Sequence, residues 1–378
     1  MHLVRSVSIA ALLAAAVANL APNAALGQTP STFTVVASQL EAPRGLRFGP
    51  DGDLYVAEAG TGGTNSTGTA CQQVPGPVGP YTGGKTARIS KIDSKGNRTT
   101  VASGLPSTQD HMGDLIGVAD IVFIGNTLYA AVAGGGCSHG NPDKASGIYV
   151  INQKTGAASL LADIGAWLKT HPAKYESADD FEPDGTLYSL IAKDGLLYTV
   201  EPNHGQVISV TRWGEIKQVI DISASEGHIV PTAIAAREDE FYVGNLNLFP
   251  IDPQWARVLT ISREGHNDED LAPGFGSHSR RAHIVNSKAG FTTVVAVDFG
   301  PDGLLYALEL SDAPGGPGLN QGKVVRVKHS GDIEEVITGL SVPTGMTFGP
   351  DGRLYISNFG AAPAGAGTIL RFDIAPGW

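Results

Sequence analysis

The amino-acid sequence predicts an all-β protein, and within that class a six-bladed β-propeller closed into a ring. One observation is compositional: 49 Gly and 23 Pro supply turns, and the residues between them favour the strand formers Val, Ile, Tyr, Phe and Thr. A second observation is that one hairpin recurs six times along the chain. The third is a predicted strand near the start of the chain, before the first repeat, which could supply the fourth strand that the last repeat lacks.

The repeated hairpin turns at a Pro-Asp-Gly corner. Its clearest copies read RGLRFGPDGDLYVAEAG (44–60), VDFGPDGLLYALEL (297–310) and TGMTFGPDGRLYISNFG (344–360). Pro presets φ, Asp tolerates the second turn position and Gly supplies a positive φ, so the corner joins two antiparallel strands. Degenerate copies occupy 121–135, 191–203 and 234–247. The six copies align on Tyr55, Tyr129, Tyr198, Tyr242, Tyr306 and Tyr355.

Further strands follow several hairpins and complete four-stranded units. Four strands per repeat, with irregular loops between repeats, is typical of propeller blades. Third strands are expected at 87–93, 147–152, 206–211, 256–262 and 323–328, and fourth strands at 99–103 and 333–339.

The two ends of the chain predict how the ring closes. The sixth copy stops after its third strand, TILRFDI (368–374), and FTVVAS (33–38) precedes the first copy and resembles a fourth strand. Pairing the two would remove an open sheet edge. The segment 163–185 does not fit the repeat and is interpreted as an insertion with a short helix before blade three. The alternative fold is a large β-sandwich, whose strands would not share one hairpin sequence six times.

Residues 1–27 have the basic start, apolar run and small residues of a secretory signal peptide, which leaves 28–378 as a single propeller domain. No later run is long enough to cross a bilayer, so a secreted or periplasmic monomer is expected. The net charge of −11 argues against nucleic acid and anionic membranes as partners.

Cys71 and Cys137 lie in equivalent loops of neighbouring blades and are predicted to form a disulfide, with two unpaired thiols as the alternative.

A ring of polar residues is the main candidate site. The residue three positions after each aligned Tyr closes the second strand near the channel mouth, and it is polar in five of six blades. These residues can contact a ligand, coordinate Ca²⁺ through oxygen atoms, hold ordered water, or bond loop backbone. The ring comprises Glu58, Val132, Glu201, Asn245, Glu309 and Asn358, and all except Val132 are candidate ligand-binding residues.

Histidines on the same loops form a second candidate set. His111, His139, His204 and His228 fall on the predicted functional face, where imidazoles can share a metal or a proton. The candidate ligands of a divalent metal are Glu201, Glu309, His204 and His139. Packing histidines are the alternative, because no short fixed spacing joins these residues.

Three runs resemble the ScyD/ScyE family, exported six-bladed propellers related to NHL-repeat proteins. They are VPTAIAAREDEFYVGNLNLFPIDPQWARVLTIS (230–262), GFTTVVAVDFGPDGLLYALEL (290–310) and GLSVPTGMTFGPDGRLYISNFG (339–360). The resemblance implies export and, for the namesakes, association with gene clusters for the indole-phenol pigment scytonemin. It supplies no catalytic residue.

Gluconolactonase-type propellers are also similar. They hold a divalent metal with Glu, Asn and Asp just before the first strands of several blades. Here the matching positions read Arg44, Thr232, Thr344 and Val295, which argues against a lactonase of that kind.

Two main functions follow. The first is a binding or scaffold protein that recognises a small molecule, glycan or protein partner on the loop face around the channel. The second is a metal-dependent lyase or hydrolase that acts at the channel, in extracytoplasmic secondary metabolism of the scytonemin kind. A purely structural envelope protein is a third alternative.

Overall fold

The computed structural model describes residues 32–263, 282–375 and 377, and the predicted signal peptide lies outside them. In this part of the chain the strands form six antiparallel sheets, and the innermost strands of successive sheets contact one another around a closed ring. The all-β, six-bladed propeller predicted from the hairpin repeats is therefore confirmed.

The blades follow the chain order of the repeats. Blade 1 contains β2 (Pro43–Phe48), β3 (Leu54–Glu58), β4 (Thr82–Ile92), β5 (Arg98–Gln109) and the short β6 (Leu115–Ile116). Blade 2 contains β7 (Val118–Ile124), β8 (Thr127–Val132), β9 (Gly147–Ile151) and β10 (Ala158–Asp163). Blade 3 contains β11 (Leu190–Lys193), β12 (Leu196–Glu201), β13 (Gln206–Val210) and β14 (Ile216–Asp221).

The remaining blades complete the ring. Blade 4 contains β15 (Pro231–Arg237), β16 (Glu240–Asn245), β17 (Ala256–Ser262) and β18 (His283–Phe291). Blade 5 contains β19 (Val294–Phe299), β20 (Leu305–Glu309), β21 (Gly322–Val327) and β22 (Ile333–Leu340). Blade 6 contains β23 (Gly345–Phe348), β24 (Leu354–Asn358), β25 (Gly367–Phe372) and β1 (Thr34–Leu40).

The ring closes as expected, because β1 pairs antiparallel with β25 and becomes the outer strand of blade 6. The insertion after blade 2 contains the predicted helix, α1 (Ile164–Leu168), whose N-cap Asp163 accepts a hydrogen bond from the Ala166 N–H. A second short helix, α2 (Ser223–Glu226), follows blade 3. Blade 1 differs from the prediction because β4 and β5 keep pairing toward the loops, out to Thr82 opposite Gln109.

The residues that recur in the hairpin copies contact one another. The hydroxyl of Tyr306 donates to Asp302 of its own Pro-Asp-Gly corner at 2.8 Å, and the same bond joins Tyr55 to Asp51 and Tyr355 to Asp351. The first Gly of the corner lies under the tyrosine ring: a Cβ at Gly49 would approach the Tyr55 ring to 2.5 Å. Turn, tyrosine and glycine therefore act as one structural unit at the hairpin end of each such blade.

Side chains fill the central channel. The space left among the inner strands has a volume of about 20 Å³, which is room for about one water molecule. Arg47 lies in it with its Nη1 3.7 Å from Asp298, and Asp120 accepts the Leu190 N–H, which ties β7 to β11. A ligand larger than a water molecule would therefore not fit inside the channel and could enter it only at an end.

Candidate functional site

The loop face is the end of the propeller opposite the Pro-Asp-Gly corners. It carries the connectors between blades and the loops that follow the second strand of each blade. Those loops span 59–81, 133–146, 202–205, 246–255, 310–321 and 359–366.

The polar ring predicted from the sequence lies where it was expected, at the loop-face end of each second strand. Several of its members bond the neighbouring connector. Glu58 accepts the Glu41 N–H at 2.7 Å and Arg88 Nε at 3.0 Å, and Asn358 accepts the Ser341 N–H at 2.8 Å.

The other strand-end bonds have the same pattern. Glu201 accepts the N–H of Thr186, and the Asn245 amide donates to the carbonyl of Ile229. These side chains fasten the connectors to the blades, and direct ligand contact by them stays a prediction.

Glu309 differs from the rest of the ring. Its side chain is buried, and Oε2 has no hydrogen-bond partner among the described residues, with Lys323 Nζ at 3.7 Å. Burial raises the pKa of Glu309 to about 7, although Lys323 acts in the opposite direction. This carboxyl group therefore changes charge near neutral pH.

The residues one position further along form a second ring that the sequence reasoning missed. Their backbone N–H groups donate to the carbonyls of the connectors, as from Leu246 to Val230 and from Phe359 to Ser341. The ring residues are small in blades 1 and 2 and large in blades 4 to 6. They are Ala59, Ala133, Leu246, Leu310 and Phe359.

The large members of this second ring form the apolar side of the channel mouth. Leu246 and Phe359 are half-buried and pack on an apolar cluster that contains Leu310 and Met346. Tyr188 packs on the same cluster and also lines the channel, so it connects this cluster to the channel end.

The opposite side of the mouth is polar. Arg44, which is 9% exposed, forms an ion pair with Asp114 at 3.1 Å and donates to the carbonyl of Leu115. Asp110 is buried beside Asp114, and burial together with that second carboxylate raises the pKa of Asp110 to about 7. Electrostatic interaction with Asp114 and Tyr188 opposes the effect of burial and raises the pKa of Arg44, so Tyr188 connects the polar side to the apolar side. The mouth is defined here by Arg44, Asp110, Asp114 and Tyr188 on one side and by Leu246, Leu310 and Phe359 on the other.

The loop histidines pair with carboxylates. His204 Nδ1 lies 2.9 Å from Glu201 Oε2, so two of the four candidate metal ligands are in contact. His139 instead pairs with Glu182 at 3.1 Å, and the Tyr81 hydroxyl donates to the other oxygen of Glu182 at 2.8 Å.

The remaining candidates are separate from these two pairs. Glu309 contacts Lys323, His228 lies 2.7 Å from Asp180, and His111 is exposed in the turn between β5 and β6 of blade 1. Glu182 and Asp180 belong to the run ESADDFEPD (176–184). The acidic composition of this run was the sequence feature that could have indicated the carboxylates that pair with the loop histidines.

No group of three or more His, Cys, Asp or Glu side chains is placed to hold a metal in residues 32–263 and 282–375. The positions that bind metal in gluconolactonase-type propellers do not fit a cation here. Thr232 donates to the Val294 carbonyl at 2.5 Å and Thr344 to the Pro43 carbonyl at 2.6 Å, so both tie neighbouring blades together. At a third of these positions Arg44 places a positive charge, which would repel a cation. Metal binding by Glu201, Glu309, His204 and His139 stays a prediction.

Cys71 and Cys137 form the predicted disulfide, with a Cα–Cα distance of 6.3 Å. It joins the loops of blades 1 and 2, where Thr67 also donates to the Cys137 carbonyl at 2.7 Å. Such a bond is consistent with an extracytoplasmic location. Within the part of the chain that the structure describes, no helix has the length and apolar character needed to span a membrane.

No family model and no curated protein matches the chain. Solved structures do match. A regucalcin from Agrobacterium tumefaciens, described as a calcium-binding protein, is 13% identical, with 92% of this chain and 96% of that chain covered and a TM-score of 0.54. A putative oxidoreductase (glucose dehydrogenase) from Thermus thermophilus is 16% identical over 90% and 99% of the two chains, with a TM-score of 0.54.

The PQQ-bound aldose sugar dehydrogenase of Streptomyces coelicolor is 14% identical over 92% and 100% of the two chains, with a TM-score of 0.52. At these identities the similarity shows the fold alone, which is a six-bladed β-propeller. Membership of the ScyD/ScyE family stays a prediction.

Proposed function

We propose that this chain is an exported binding propeller of the ScyD/ScyE type, with residues 28–378 as the mature domain. Its mouth takes one small molecule that has an aromatic or apolar body and a hydrogen-bonding end. The observation that carries the proposal is that Leu246, Phe359 and Tyr188 pack on one apolar cluster, while Tyr188 also lines the channel and interacts with Arg44.

The chemistry of the two sides defines the ligand class. Binding sites for small molecules combine apolar walls with a few placed polar groups that fix orientation. Arg44 is already neutralised by Asp114, so the polar side favours a hydroxyl, an amide or an indole N–H over a free charge. The ScyD/ScyE resemblance implies the same class, because scytonemin combines indole and phenol rings.

The strand-end residues have a supporting role in this proposal. Glu58, Glu201, Asn245 and Asn358 hold the connectors on which the mouth residues lie. Glu309, whose Oε2 has no hydrogen-bond partner among the described residues, is the member with an oxygen left to accept a hydrogen bond from a ligand.

Acid–base chemistry at the same mouth is a second candidate, and Asp110 is the observation that favours it. A carboxyl group with a pKa of about 7 can both accept and donate a proton at neutral pH. Asp110 would then be the general base or acid of a lyase or hydrolase. A divalent cation would be an added requirement of the metal-dependent form of this hypothesis.

Calorimetric titration with indole, phenol and a fused indole-phenol compound tests the proposal. Replacing Leu246 by Ala removes apolar contact worth about 1.4 kcal/mol, so we expect affinity to fall about tenfold. Trp213→Ala is the matched control, because Trp213 is 79% exposed on the β13–β14 turn at the opposite face. Equal affinities of the Leu246→Ala and wild-type proteins, or no binding of any probe, would contradict the proposal. If the wild-type protein converts one of these probes to a product and the Asp110→Asn variant does not, the result would favour the enzyme hypothesis.

A further inference from the structure

The blade 4 loop lies beside the connector that leads into blade 4. The Leu246 N–H donates to the Val230 carbonyl at 2.9 Å, and the Asn247 N–H donates to the Ile229 carbonyl at 3.1 Å. His228 directly precedes Ile229 in the connector. Asn247, which follows the mouth residue Leu246, is therefore bonded to the residue next to His228.

His228 is held by a carboxylate from another connector, the one between blades 2 and 3. Its Nε2 lies 2.7 Å from Asp180 Oδ2, and the Asp180 carbonyl accepts the side-chain N–H of Asn203 at 3.1 Å. Because a carboxylate only accepts hydrogen bonds, the single N–H of the neutral imidazole lies on Nε2. The Nδ1 atom then keeps a lone pair, and it is buried without a hydrogen-bond partner among the described residues.

Asn247 supplies a complementary unpaired group. Its Oδ1 accepts a hydrogen bond from the Asn245 amide at 2.8 Å, which identifies Nδ2 as its donor end. Nδ2 is buried and likewise has no partner in the part of the chain that the structure describes. A buried polar group without a partner is unfavourable. One hydroxyl group can satisfy an acceptor and a donor together, because it donates one hydrogen bond and accepts others.

The same loop exposes apolar side chains beside these polar groups. Ile251 forms two backbone hydrogen bonds with Gly315 of the blade 5 loop, at 2.6 and 3.0 Å, so the blade 4 loop is anchored on both sides of residues 248–250. Leu248 and Phe249 lie between the anchors and are 49% and 44% exposed. Apolar side chains next to a few polar groups are the usual composition of a small-molecule site.

We propose that the mouth continues at the blade 4 loop into a second, hydroxyl-binding subsite. A ligand hydroxyl donates to His228 Nδ1 and accepts from Asn247 Nδ2. The aromatic ring that carries this hydroxyl covers Leu248 and Phe249.

This inference rests on the proposed function and narrows its ligand class. Leu246 belongs to the apolar side of the mouth, and the subsite begins at the next residue. The ligand is therefore an aromatic molecule with polar groups at two ends, one for Arg44 and Tyr188 and one for the subsite.

Calorimetric titration of the whole protein with two matched probes tests the subsite. One probe is an indole that carries a 4-hydroxyphenyl group, and the other has a methyl group in place of the hydroxyl. Both have an indole N–H for one polar site, but only the first can fill both sites, whichever way round it binds. We expect the wild-type protein to bind the hydroxyl probe about tenfold more tightly.

Matched variants isolate the two unpaired groups. His228→Gln keeps a side-chain N–H for Asp180 and removes the Nδ1 acceptor, so the preference for the hydroxyl probe should fall below about threefold. Asn247→Asp is isosteric, suits the left-handed backbone at this position (φ 66°) and removes the Nδ2 donor, so it should also reduce the preference. His329→Gln, on the exposed β21–β22 turn at the opposite face, should keep the wild-type preference.

Equal binding of the two probes by the wild-type protein would overturn the second subsite and leave the proposed function standing. The same holds if the preference is unchanged in His228→Gln, or in Asn247→Asp where the first variant does not fold. If neither probe binds the wild-type protein, the proposed function fails and this inference fails with it.

Discussion

Removing the disulfide between Cys71 and Cys137 should lower the thermal stability by an amount set by the length of chain that it closes. The two cysteines are 66 residues apart. In the chain-entropy treatment, a loop of that length restricts the unfolded chain by about 4 kcal/mol. For a domain of roughly 350 residues, whose unfolding entropy near 60 °C is about 0.7 kcal/mol per degree, this corresponds to a fall in Tm of about 6 °C.

The folded loops should remain in place without the bond. Thr67 still donates to the Cys137 carbonyl, and Asn65 still pairs with Gly83 in the same loop. Differential scanning calorimetry of the Cys71→Ser, Cys137→Ser double variant, beside wild-type protein with and without reductant, measures the effect. The double variant and the reduced wild type should melt together, below the oxidised protein. A shift under about 1 °C in both would refute the reasoning, because it would mean that the bond leaves the unfolded chain unrestricted.

Two further predictions concern buried polar groups. Ionising Glu309 in its buried site is unfavourable, so its contribution to the free energy of unfolding should decrease by up to about 3 kcal/mol as the pH rises from 4.5 through 7. Denaturant unfolding across this range should show a shallower decrease for Glu309→Gln than for wild type, and parallel curves would contradict the prediction. Tyr306→Phe removes the bonds to Asp302 and Arg326 and should cost about 1 to 3 kcal/mol in the same assay. Tyr129→Phe, in a blade whose corner lacks the Asp, should cost less, and equal losses would argue against a structural role for the corner carboxylate.

The architecture was predictable because short local sequence patterns specify each blade. A Pro-Asp-Gly corner and a following Tyr form one hairpin wherever they occur, and each copy specifies a blade without reference to the others. The closing strand and the disulfide followed from counting strands and from the adjacency of neighbouring blades. The observed pairing of β1 with β25 and of Cys71 with Cys137 agrees with both predictions.

The site was harder to predict because it depends on non-local contacts. The meeting of Glu182 with Tyr81 and His139 joins residues from three separate loops, and one of them lies in the segment that fits no repeat. Alignment placed Glu58 correctly at a strand end, but the direction of its hydrogen bonds becomes visible only with the connector in place. The same alignment of the hairpin copies also contained the second ring. The residue after each strand-end position changes from small in blade 1, Ala59, to large in blade 6, Phe359.

A crystal structure of the protein with a bound indole-phenol compound tests the central claim most directly. The ligand should lie in the mouth, with its rings against Leu246 and Phe359 and its hydroxyl or N–H within hydrogen-bond distance of Tyr188 or Arg44. A ligand bound instead on the hairpin face, or between blades away from these residues, would contradict the proposed function.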